Sequence, residues 1–83
     1  DLTGLSISPH PSHGRSLFGR INAEIKETYP IVIYDNLGKM VSRSASSQSE
    51  FTVNFIPPLP SGVYYVKISS NTFSAARCFL VKH

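Results

Sequence analysis

His10 and His13 stand three positions apart in a loop framed by Pro9, Pro11 and Gly14, and with Cys78 or His83 they are the residues that could hold a metal ion. A protein metal site needs three or four convergent ligands. Only the first pair is close in sequence, so solvated loop histidines and no metal are expected. Catalysis has no better home. The chain contains no Gly-x-Ser-x-Gly elbow, no glycine-rich phosphate loop and no His-Glu-x-x-His pair, the patterns that hold a nucleophile, a phosphate or a zinc ion against its partners. Neither an enzyme activity nor a cofactor is implied. Asp35 directly precedes Asn36-Leu37-Gly38, where a carboxylate can accept backbone N–H groups, so it is expected to cap a turn.

The tyrosines offer a different chemistry. Tyr29, Tyr34, Tyr64 and Tyr65 would make a sugar-stacking platform if several were exposed on one sheet face. Tyr64 and Tyr65 are adjacent, so on a strand they point to opposite faces and at most one of them can join such a platform. Cys78, between Arg77 and Phe79, reads most simply as a small hydrophobe. As the lone cysteine it excludes an internal disulfide framework and leaves redox compartment undecided.

The elements that must position these groups follow from composition and period. At 83 residues, one domain with an economical core is expected. Phe18, Phe51, Phe55, Phe79, Tyr64 and the Val and Ile set are its candidates, each contributing roughly 1.5–3 kcal/mol if fully buried. Eight Lys and Arg oppose five Asp and Glu, but the cations at 15, 20, 26, 39, 43, 67, 77 and 82 are dispersed. Dispersed charge favours solubility, whereas a nucleic-acid surface clusters it, so no nucleic acid is expected. The longest apolar stretches, 31–34 and 78–81, are strand-sized, far short of a membrane span, and Asp1 begins no basic-then-apolar leader. Either a cytosolic protein or a piece of a longer precursor is expected.

Apart from a possible helical turn over 23–27, no window places apolar residues at helical spacing without a Gly or Pro break. Seven strands are expected, at about 4–8, 15–23, 30–35, 39–45, 50–56, 62–69 and 76–82. Between them lie Pro9 to Gly14, a three-residue Asn36-Leu37-Gly38 loop with φ > 0 at Gly38, serine-rich 44–49, Pro57 to Gly62 and a reversal over 71–74. Gly62 is expected to relieve crowding where the chain re-enters a strand. Seven short strands in so small a chain predict an all-β, immunoglobulin-like antiparallel sandwich, without the Cys and Trp landmarks of antibody domains.

In order along the chain come Ile7-Ser8-Pro9-His10-Pro11-Ser12-His13-Gly14, Ile31 to Val41 with Tyr34-Asp35-Asn36-Leu37-Gly38-Lys39, Leu59-Pro60-Ser61-Gly62-Val63-Tyr64-Tyr65-Val66-Lys67-Ile68, and Phe79-Leu80-Val81-Lys82. This set resembles the type A C-terminal sorting domain of the bacterial type IX secretion system, over nearly the whole chain. The resemblance implies a small immunoglobulin-like sandwich at the end of a larger Bacteroidetes precursor, following an N-terminal cargo domain and exported to the periplasm by a separate signal peptide. It implies recognition by the outer-membrane translocon and its shuttle proteins, and in many members removal by a sortase-like cysteine protease, here near residues 1–4. The destination implied is secretion or the cell surface. Where the family has Pro-Asn-Pro this chain has Pro9-His10-Pro11, which removes the Asn side chain from that loop.

Carried over by position, Gly38 matches a turn glycine, Gly62 and Tyr64 a Gly-x-Tyr strand start, and Lys67 and Lys82 basic positions in the terminal strands. Gly62, Tyr64, Tyr65, Lys67, Val81 and Lys82 are therefore the candidate partner-binding residues, with Gly14, Asp35 and Gly38 as turn elements. An unpaired edge at the terminal strand would also permit docking or homodimerisation by strand addition. A carbohydrate-binding accessory module and a plain immunoglobulin-like spacer are the competing functional readings.

Overall fold

The computed structural model describes residues 4–8, 14–71 and 73–83. Seven strands form in the described residues: β1 (Gly4–Ser8), β2 (Ser16–Asn22), β3 (Tyr29–Asp35), β4 (Met40–Ser46), β5 (Glu50–Asn54), β6 (Gly62–Ser69) and β7 (Ser74–Val81). They make a three-stranded sheet in the order β1-β2-β5 and a four-stranded sheet in the order β4-β3-β6-β7, every pair antiparallel. With the strands lettered A, B, C, C′, E, F and G, this is A-B-E facing C′-C-F-G, an immunoglobulin-like sandwich. The expected helical turn over 23–27 is absent. That segment is irregular, and Ala23 and Ile25 lean onto the core from it, so tertiary burial rather than helical hydrogen bonding holds it.

Period-two alternation builds the core from both sheets. Leu5, Leu17, Ile21, Phe51 and Val53 face Ile31, Ile33, Val66, Ile68, Phe79 and Val81, with Phe55, Leu59 and Phe73 closing the ends. Tyr29 is fully buried, in edge contact with Phe51 at 6.5 Å and Phe73 at 5.5 Å. Its hydroxyl donates to the Gln48 carbonyl, which removes the cost of burying a phenol unpaired. Phe18 departs from expectation. Leu17 and Ile21 take the core face of β2, and parity leaves Phe18 39% exposed on the other side.

β4 contributes nothing apolar to this core. Its core-side positions, opposite Ile33, Ile31 and Tyr29, are Ser42, Ser44 and Ser46, and Ser44 Oγ is buried without a hydrogen-bond partner among the described residues. Met40 and Val41, the large apolar residues of this strand, are exposed, with the register shifting between Ile33 and Tyr34. An edge strand needs only one neighbour, so β4 is held by its β3 ladder rather than by packing.

Gly19 is packed directly against a core ring. It lies opposite Phe51 in the β2–β5 ladder, and a Cβ built there would sit 2.1 Å from the Phe51 ring. The aromatic ring therefore occupies the space a side chain would take. Replacing Gly19 by Ala forces that ring against Tyr29 and should cost about 1–3 kcal/mol, read as a lower urea midpoint with an unchanged m-value. An unchanged midpoint would show that the ring can move freely.

Candidate recognition site

β6 is hydrogen-bonded to β3 on one side and β7 on the other, so both faces of the terminal hairpin are set by one alternation. Tyr64, Val66 and Ile68 turn inward, and Val63, Tyr65 and Lys67 turn outward. In β7, Phe79 and Val81 are buried while Cys78 and Leu80 are exposed. Cys78 is thus not the small core hydrophobe expected. It is a free, exposed thiol directly opposite Tyr65.

The register assembles the outer face of the four-stranded sheet in rows. Met40, Tyr34, Tyr65 and Cys78 lie side by side across β4, β3, β6 and β7. With neighbouring strands about 4.8 Å apart, that row runs about 14 Å. Arg43, Val32, Lys67 and Ala76 form the next row on one side, and Val63 opposite Leu80 flanks the other. Met40 is 53% exposed, Tyr65 44%, Leu80 40% and Val63 37%, while Tyr34 and Val32 are half-buried. Lys82, exposed, follows β7 directly. Sequence reasoning singled out Tyr65, Lys67 and Lys82 but not Arg43, Met40, Val63 or Leu80. Arg43 and Met40 join the face only through cross-strand register, for which the sequence holds no direct signal, whereas alternation along their own strands turns Val63 and Leu80 outward.

Two expected recognition residues lie elsewhere. Tyr64 and Val81 are core side chains, 6% and 1% exposed, and burial removes both from any surface the folded protein presents. Tyr64 stacks on Phe79 at 5.7 Å, and its hydroxyl donates to the Pro60 carbonyl at 2.8 Å. A tyrosine near the start of strand F bonding back to the preceding loop is the tyrosine corner of immunoglobulin-like sandwiches. Burial first, and the Asp35 carboxylate second, raise its hydroxyl pKa above the usual 10.0. Of the four tyrosines, Tyr29 and Tyr64 are therefore structural, and Tyr34 pairs with Tyr65 on the outer face.

The turns around this face are closed by local bonds. Asp35 N–H donates to the Lys39 carbonyl and Gly38 N–H to the Asp35 carbonyl, enclosing residues 36–38 with φ +85° at Gly38. The Asp35 carboxylate accepts from the N–H groups of Leu37 and Lys39, both at 2.9 Å. At Gly62 a Cβ would meet only an ordinary contact, 3.7 Å from Tyr64, so crowding is not what selects glycine there; its φ of +157° is. Gly14 is packed beneath the other loop, where a Cβ would lie 2.5 Å from the Leu59 carbonyl oxygen. His83 ties the chain end to that loop, its ring donating to the Leu59 carbonyl at 2.8 Å and its backbone N–H to Ser61 Oγ at 3.3 Å. His10 and His13 lie outside the described residues, and among the described residues no three His, Cys, Asp or Glu side chains cluster to hold a metal.

A family model described as a secretion system C-terminal sorting domain matches residues 6–82. The chain belongs to that family. No curated protein matches it significantly. Such a sorting domain is the C-terminal signal for type IX secretion, and membership implies interaction with that machinery and export across the outer membrane. The match spans all but the first residues of β1 and runs through β7, so what defines the family here is the whole sandwich and not a short terminal tail.

The corner makes a measurable prediction for the sorting domain. Tyr64→Phe keeps the ring on Phe79 but loses the bond to Pro60, and should cost about 1 kcal/mol. The raised hydroxyl binds its proton more tightly in the folded state, so native stability is full below pH 10 and falls as pH rises through the folded value. Alkaline urea titrations should show that fall in the native chain and a shallower one in the variant. Equal slopes would show that Tyr64 does not govern it.

Proposed function

We propose that this sandwich is the terminal domain of a larger secreted precursor, without catalytic activity of its own, and that the translocon and its shuttle proteins read it as a folded surface. The observation that supports the reading most strongly is the extent of the family match, which covers both sheets. Within that surface the terminal hairpin offers the backbone around Gly62 and the side chains of Tyr65, Lys67 and Lys82, all outside the core. Tyr64 and Val81 act behind them, holding the hairpin flat. Removal by a sortase-like cysteine protease would fall ahead of β1, where a cut leaves every ladder intact.

A polysaccharide platform is the second reading, favoured only by the pairing of Tyr34 with Tyr65. It is weakened by the burial of Tyr29 and Tyr64, which leaves two rings and few hydrogen-bonding groups around them.

A fluorescent reporter carrying a periplasmic signal peptide and fused ahead of residues 1–83 should reach the surface of a type IX-competent host and stay in the periplasm of a translocon-null strain. Replacing Tyr65, Lys67 and Lys82 together by Ala should retain the fusion in the periplasm without lowering its melting temperature. Deleting residues 81–83 is a poorer test, because it removes buried Val81 and the His83 ties along with any signal. Periplasmic retention of the native fusion in both hosts, with binding to insoluble polysaccharide, would sink the sorting reading.

A further inference from the structure

The outer face of the four-stranded sheet is apolar at its centre and cationic around it, and none of the described residues covers it. Met40, Tyr34, Tyr65, Cys78, Val63 and Leu80 make the centre. Arg43, Lys67 and Lys82 surround it. Of the acids in the described residues, Glu24 and Glu27 lie between β2 and β3 and Glu50 lies in the opposite sheet. Asp35 is the one acid within this sheet, in register with inward-facing Tyr64, and its carboxylate is engaged by two turn N–H groups. Among the described residues the face therefore carries positive charge and no carboxylate of its own.

We infer that this face is the contact surface of the sorting signal and that its occupant is a protein surface with an apolar centre and an acidic rim. The inference rests on the sorting reading and names the partner chemistry that reading leaves open. Charge decides among occupants. A second copy would set the cationic patch of Arg43, Lys67 and Lys82 against the same patch, because a two-fold interface is self-complementary, and like charges so juxtaposed oppose association. An anionic lipid surface is served by denser clusters of four to eight basic residues. A sugar needs convergent polar side chains, and the two tyrosine hydroxyls are all that the central row supplies. Tyr and Met at the centre with Arg and Lys at the edge is the composition of a protein interface. Acidic groups opposite Arg43, Lys67 and Lys82 would steer the encounter and fix its register.

The test uses the full reporter fusion in a type IX-competent host. Benzoylphenylalanine replaces Tyr65, Tyr34 or, as a control on the outer face of the other sheet, Phe18. Irradiation should give the same discrete protein adduct from positions 65 and 34 and none from 18, and the peptide joined should carry clustered Asp and Glu. Reversing charge with Arg43→Glu and Lys67→Glu should cut both adduct and export by about tenfold or more while leaving the thermal melt in place. Adducts to lipid or lipopolysaccharide, a cross-linked second copy, a joined peptide without acids, equal labelling from position 18, or normal export of the reversed variant would each overturn the inference. If the native fusion is not exported, the sorting reading fails. Adduct formation in the periplasm then still reads the face separately.

Discussion

Strand β6 is paired on both sides, and that double pairing is the constraint from which the rest follows. A strand with one neighbour can slip or twist to accommodate its side chains, but a central strand that slipped by one residue would turn Tyr64, Val66 and Ile68 to solvent and Tyr65 and Lys67 into the core. Burial of three large apolar side chains, each worth roughly 1.5–3 kcal/mol, forbids the slip. Every neighbour inherits the choice. Tyr34 must lie beside Tyr65 because Ile33 must lie beside Val66, and Cys78 must be exposed because Phe79 must be buried.

The loops then have to satisfy what the strands cannot. A buried backbone or phenol group left unpaired costs about 1–3 kcal/mol, and the sandwich meets this with single bonds at each end. Tyr29 reaches the Gln48 carbonyl at the β4–β5 connection, Tyr64 reaches Pro60 ahead of β6, and Asp35 holds the β3–β4 turn. Leu59 N–H donates to the Gly14 carbonyl, and His83 returns to Leu59 and Ser61. The chain end is thereby drawn into the same corner that opens the terminal hairpin. β4 is the exception to this economy, with three serines on its core side and the Ser44 hydroxyl without a partner among the described residues.

One consequence of this build is a division of labour within adjacent residues. Tyr64 and Tyr65 have the same chemistry and opposite roles, the first a corner that locks a loop and the second a ring offered to solvent. Lys67 and Arg43 stand in one row on either side of Val32 although they lie on different hairpins. A face assembled from four strands in this way exists only while the sheet is folded, and the family match likewise spans both sheets.

Strand positions were legible in the sequence because a two-residue period and Gly or Pro punctuation are local properties. All seven strands lie where that period put them, give or take two residues, and the family was legible in the ordered motifs from Ile7 to Lys82. Parity of Tyr64 and Tyr65 was legible too, since adjacency alone sets it. What local pattern does not hold is which strand lies beside which. The exposure of Phe18, the register shift that sets Met40 beside Tyr34, the irregular course of 23–27 and the row that holds both Arg43 and Lys67 each depend on pairing or packing beyond the local pattern. Tertiary structure decided these, because a strand's period says that it has two faces and only the packing of the second sheet says which of them is inside.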